Sequence, residues 1–158
     1  MRPPSDKDRF PSRKDPRLKG FDYSSPYYYF ITICTWEKAC IFGTAKKLSL
    51  WGETARACIG EIERHFPGVR ADKSVVMPNH VHMILALQGE NPGVPYIVAT
   101  YKAAVTRKIR KTDPDRRVWQ ASFHDHIIRS QKDYERIWLY IEANPQNWDK
   151  DCFFEALE

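Results

Sequence analysis

Two histidines one residue apart, His80 and His82, open the apolar run His80-Val81-His82-Met83-Ile84-Leu85. Side chains alternate faces along a strand, so both imidazoles project from one side while Val81, Met83 and Leu85 project from the other. Neutral imidazole is the commonest protein metal ligand, and a strand fixes the spacing of such a pair without loop entropy. The pair is therefore a candidate site for one divalent ion. The ordinary alternative is two polar residues on the solvated face of an antiparallel strand. Far downstream, Tyr140 and Asn144 are four residues apart in a segment of helical periodicity, which puts them on one face. A tyrosine oxygen, with a pKa of about 10, is a poor nucleophile toward phosphorus at neutral pH unless a Lewis acid polarises the phosphate. Asn144 offers a carbonyl oxygen as third ligand beside the imidazoles, with positions left for a phosphate oxygen and water. Attack by Tyr140 with departure of the 3′ hydroxyl leaves the DNA 5′ end as a phosphotyrosine. A second 3′ hydroxyl can reverse that step, so the same chemistry cuts and rejoins without ATP.

These residues need a scaffold, and the chain supplies the periodicities for one. Tyr27 to Thr35 is aromatic and β-branched, which predicts a first strand. From Ser49, a plausible N-cap, Trp51, Ala55, Cys58, Ile59, Ile62 and Phe66 recur at helical spacing until Pro67-Gly68. Val69 to Met77 and His80 to Leu87 read as a hairpin turned at Pro78-Asn79, with the histidines at its mouth. Ile97, Tyr101, Val105 and Ile109 mark a second helix with Pro95 in its first turn, and His124 to Arg129 a fourth strand. Ser130 and Asp133 resemble a capping box opening a third helix that Pro145 ends at Ala143. The order β-α-β-β-α-β predicts an α+β, ferredoxin-like split βαβ sandwich: an antiparallel sheet with helices, first and third strands central, and Tyr140 on an additional C-terminal helix. Tyr134 lies on that helix too, but six residues away and about 120° around it, so the two cannot both face the histidines.

At 158 residues, 42% hydrophobic and 13% aromatic, the chain fits one globular domain. We divide it into a basic N-terminal arm, residues 1–20, a catalytic domain, 21–145, and a tail packing on the domain, 146–158. No apolar stretch approaches a membrane span and the N-terminus has no apolar signal region, which predicts a cytoplasmic, nucleoid-associated protein. Cys34, Cys40, Cys58 and Cys152 show no C-x-x-C spacing, so neither disulfides nor a zinc cluster is expected. Net charge is +5 with a pI near 9.0, favouring a polyanionic partner. The charge is clustered. The arm holds seven Lys or Arg against three Asp. Lys102, Arg107, Lys108, Arg110, Lys111, Arg116 and Arg117 lie on and just after the second helix. Candidate DNA contacts are Arg17, Lys19, Lys102, Arg107, Lys108, Arg110 and Arg129, with Trp119 either a base-stacking platform or a core residue.

Taken together, Arg17-Leu18-Lys19-Gly20-Phe21-Asp22-Tyr23, Val76-Met77-Pro78-Asn79-His80-Val81-His82, Val118-Trp119-Gln120, His126-Ile127-Ile128-Arg129 and Tyr140-Ile141-Glu142-Ala143-Asn144-Pro145 resemble the REP-associated tyrosine transposases. These are relatives of the single-tyrosine HUH transposases of bacterial insertion sequences. The resemblance implies His80 and His82 as the metal pair, Asn144 as third ligand and Tyr140 as nucleophile. It also implies Mg or Mn dependence, and single-stranded DNA with hairpin-forming repeats as substrate, with monomer and homodimer both open. Ala121 and Gln131 stand where an Arg and a Glu are expected, which bears on DNA contacts. Two readings from other classes compete: a non-catalytic single-stranded DNA- or RNA-binding module on the same sandwich, and a metal nuclease using water.

Overall fold

The structure, a computed structural model, describes residues 17–150; most of the basic arm, the last eight residues of the tail and Cys152 lie outside the described residues. Seven elements follow in order: β1 (Tyr28–Cys34), α1 (Leu50–His65), β2 (Val69–Met77), β3 (His80–Leu87), α2 (Val94–Ile109), β4 (His124–Ile128) and α3 (Gln131–Ala143). The four strands form one antiparallel sheet in the order β2-β3-β1-β4, so β3 and β1 are the central pair of a ferredoxin-like α+β sandwich.

Local chemistry sets the element ends. Ser49 Oγ accepts from Gly52 N at 3.1 Å and starts α1, Pro95 occupies the first turn of α2, and Ser130 Oγ accepts from Asp133 N at 3.1 Å to start α3. Among the described residues Cys34, Cys40 and Cys58 are free thiols, and no helix is long and apolar enough to cross a membrane.

Alternation along the central strands divides the interior into two unequal cores. Ile31, Ile33, Val81, Met83 and Leu85 face α1 and α2, where they pack with Ile59, Ile62, Val98, Tyr101 and Val105 in the main core. On the opposite face Ile84 and Ile128 meet Ile137 and Ile141 of α3 in a small second core, with Tyr28, Phe30, Val75 and Trp138 partly buried against it. Polar ties supplement it: the Tyr134 hydroxyl donates to the Asp72 carboxylate, Lys73 pairs with Glu142, and Asp133 lies 2.6 Å from His126.

One backbone feature has no sequence forewarning. Trp36–Lys38 forms a single 3-10 turn in which Glu37 and Lys38 have φ of 53° and 54°, left-handed values that non-glycine residues adopt at a cost. Flanking bonds hold the turn: Thr35 N donates to the Asn79 carbonyl and Trp36 N to the Val118 carbonyl, both at 2.9 Å.

Candidate active site and nucleic-acid interface

The strand register assembles the site on the α3 face of the sheet. Cys34 pairs with His80 and Thr32 with His82, which sets Thr32 directly beside the second histidine. Both imidazoles are buried, at 0% and 1% exposure, so they are not the solvated polar residues of the ordinary alternative. Their Nε2 atoms converge to 3.0 Å. The other ring nitrogens are anchored: His80 Nδ1 lies 2.8 Å from Asn79 Oδ1, and His82 Nδ1 lies 2.8 Å from Thr32 Oγ1. Burial, and then the neighbouring His80, hold the His82 imidazole well below the usual histidine range.

Walls of the site come from three elements. The Tyr140 ring stands 5.4 Å from the His82 ring and edge-on to Phe30 at 6.2 Å. At 40% exposure it is reachable by an incoming backbone. Trp148, buried in a short 3-10 turn after α3, lies 6.0 Å from the His80 ring. Asn144, one turn beyond Tyr140 at the C-cap of α3, is 2% exposed, and its Oδ1 has no hydrogen-bond partner. Tyr134 faces elsewhere: its ring packs edge-on to Tyr28 at 5.2 Å, and the bond to Asp72, then burial, push its phenol up to about 12.

The donor set fits a divalent ion. Two ligand atoms each about 2.1 Å from one ion and at right angles lie about 3.0 Å apart, the separation of the two Nε2 atoms. A buried amide oxygen without a hydrogen bond is costly unless something takes its lone pairs, and Asn144 Oδ1 is such an atom. Among the described residues no three His, Cys, Asp or Glu side chains gather as a metal-holding group. A divalent ion here would rest on two imidazoles completed by a neutral oxygen, a set that suits a borderline ion such as Mn better than Mg.

The expected DNA contacts separate. Arg107, Arg110, Lys111 and Arg117 line one open groove of about 760 Å³ between α2 and the segment before β4, with Lys102 and Trp119 in its wall. Lys102 is pinned there, donating to the Gln120 carbonyl at 2.6 Å, and burial lowers its pKa. Trp119 packs on the main core against Phe42 and Tyr101 and donates to the Lys102 carbonyl at 3.1 Å. Lys108 turns instead to α1, 2.9 Å from Glu61. Arg17 stacks on Phe123 at 3.6 Å, Lys19 is exposed, and Arg129 lines a smaller cleft with Tyr28, Arg70 and Tyr134.

Sequence reasoning overlooked Thr32, Asn79 and Trp148 as parts of the site. Asn79 adjoins the histidines in the chain, which is a usable signal. Thr32 becomes visible only through the register.

Comparison with known proteins gives three findings. The model of the family described as "Transposase IS200 like" matches residues 22–144. An uncharacterised protein of Haemophilus influenzae is 35% identical over 167 aligned residues, covering 90% of this chain and 93% of the relative. A solved REP-associated tyrosine transposase bound to a REP hairpin has the same fold, with a TM-score of 0.67 and 21% identity over 85% of this chain and 74% of that one.

Proposed function

Because this chain belongs to the IS200-like transposase family, we propose that it is a transposase that cleaves and rejoins single-stranded DNA through a covalent 5′-phosphotyrosine on Tyr140. One observation carries the reading: two buried imidazoles converge their Nε2 atoms at 3.0 Å beside the Tyr140 ring. His80, His82 and Asn144 would hold a divalent ion, Mg or Mn. When bound, that ion supplies Lewis-acid polarisation of the scissile phosphate.

The chain's own residues supply the rest. Tyr140 Oη attacks phosphorus, the bond from phosphorus to the 3′ oxygen breaks, and the 5′ phosphate stays on the tyrosine. The phenolic proton passes to solvent, which reaches the 40% exposed ring, and the departing 3′ oxygen takes up a proton. Attack by another 3′ hydroxyl reverses these bonds. Phe30 and the second core hold Tyr140 over the sheet. The groove of Arg107, Arg110, Lys111 and Arg117 would bind backbone phosphates, and hairpin-forming DNA is the substrate class, as in the solved transposase bound to a REP hairpin.

The test is to incubate the full chain with a single-stranded hairpin oligonucleotide and Mn(II), then separate denatured protein by mass. The wild type should carry DNA on Tyr140, and Tyr140→Phe should carry none while still binding the oligonucleotide. An adduct that persists in Tyr140→Phe on another residue overturns the assignment. Cleavage with no adduct in the wild type overturns the tyrosine mechanism in favour of water.

A further inference from the structure

The edges of the two histidines that face away from the candidate ion site are held by groups of different chemistry. His80 Nδ1 lies 2.8 Å from Asn79 Oδ1. The orientation of that amide is set by its other end, since Asn79 Nδ2 donates to the Lys38 carbonyl at 3.3 Å. A carbonyl oxygen only accepts, so His80 must keep a proton on Nδ1 and present a bare Nε2. The Lys38 carbonyl is part of the left-handed turn at Glu37 and Lys38, so the strained backbone has a consequence at the site. His82 Nδ1 instead lies 2.8 Å from the Thr32 hydroxyl, which donates or accepts according to where its hydrogen points.

On the inner side, His80 Nε2 and His82 Nε2 stand 3.0 Å apart in a site at most 1% exposed. Two lone pairs at that distance need a proton or a cation between them, and burial disfavours a charged ring. His80 has no proton to give. We infer that Thr32 is a positioning residue that lets His82 exchange tautomers on ion binding, while Asn79, oriented by Lys38, locks His80 in one.

In the ion-free protein His82 carries its proton on Nε2 and donates it to His80 Nε2, while the Thr32 hydroxyl donates to His82 Nδ1. In the ion-bound protein the proton is on His82 Nδ1 and Thr32 accepts it, so both Nε2 lone pairs are available. One N–H bond breaks at Nε2, one forms at Nδ1, and the Thr32 hydroxyl rotates; no proton enters or leaves. The inference rests on the metal reading given above and adds to it the residues that prepare the ligands.

Long-range proton–nitrogen spectra of the full-length, chelator-treated protein at neutral pH read the tautomers directly. His80 should appear as the Nδ1–H form and His82 as the Nε2–H form, and Zn(II), a diamagnetic probe, should move only His82 to Nδ1–H. A His80 in the Nε2–H form, or a His82 already on Nδ1 before the ion is added, overturns the inference. Mn(II) affinity by electron paramagnetic resonance provides the second arm. Thr32→Val keeps the shape but neither donates nor accepts, so its affinity should fall roughly 10–100-fold, while Thr32→Ser should restore it. Melting temperatures show that each variant is folded. If wild type binds Mn(II) and Thr32→Val binds it equally well, this inference alone fails; if wild type binds neither Mn(II) nor Zn(II), the metal reading fails and takes the inference with it.

Discussion

Acid should destabilise the ion-free protein through His82 in a measurable window. In the folded chain, burial and the neighbouring His80 hold this imidazole well below the usual range, while in the unfolded chain it titrates near 6.5. Between those values the unfolded state binds more protons, so stability is full above about 6.5 and is lost as pH falls, until the folded group itself titrates. The slope approaches about 1.4 kcal/mol per pH unit, so between about pH 7 and pH 5 the loss through this one group can reach at most about 2 kcal/mol. Because the ring is only 1% exposed, solvent screening does not discount that figure. Carboxylates titrating in the same range are removed by comparison with His82→Gln. Urea unfolding of both proteins with chelator present, at the two pH values, gives a difference of differences. Wild type should lose more than the variant, by up to about 2 kcal/mol. Equal losses would show that His82 takes up its proton inside the fold, and the account of a dry, neutral imidazole pair would be refuted.

Three further outcomes are expected. Tyr134→Phe should leave the protein–DNA adduct in place and cost about 1 kcal/mol in urea unfolding, since it removes only the hydroxyl bonded to Asp72; loss of the adduct would mean that this phenol takes part in the chemistry. Arg107→Ala with Arg110→Ala should lower the slope of log affinity against log salt by about 0.7–0.9 per lost phosphate contact. Lys108→Ala, on the α1 side, should leave that slope unchanged in fluorescence anisotropy on hairpin DNA, and the reverse pattern would move the DNA path off the α2 groove. Ile137→Ala should cost about 2–5 kcal/mol in urea, because the side chain is 1% exposed within a four-residue core; a cost well under 1 kcal/mol would mean that α3 is not seated through that contact.

Most of the scaffold was legible because its periodicities are clean. The hairpin about Pro78-Asn79, the Ser49 and Ser130 caps and the proline in the first turn of α2 lie where composition puts them, and strand ends move by a residue or two. The central pairing of β1 and β3 followed from element order alone. Contacts made across strands were not legible. Thr32 is one of three consecutive β-branched residues in β1, and only the register that sets it opposite His82 singles it out. The left-handed pair Glu37–Lys38 contains no glycine or asparagine to announce it. The sign of a charge run was readable but not its direction: Lys108 is seven residues after Tyr101, whose hydroxyl donates to the Ala55 carbonyl of α1 at 2.9 Å, so both point to α1 while Arg107 and Arg110 turn to the groove.

The inequality of the two cores has a consequence for how the molecule opens. Opening free energy follows local burial, so the elements around the main core should share the global unfolding event, whereas α3 seats only Ile137 and Ile141 fully, against Ile84, Ile128 and partly buried side chains such as Phe30 and Val75, with a few polar ties at the surface. Its backbone amides should therefore exchange with solvent through a cheaper, sub-global opening than those of β1 and β3. The histidines belong to a strand buried along its whole length, and Tyr140 to a helix with two buried residues, Ile137 and Ile141. The distance between the two halves of the site should therefore follow the local opening of α3, and a strand bound against both halves should slow exchange of the α3 amides more than that of β3.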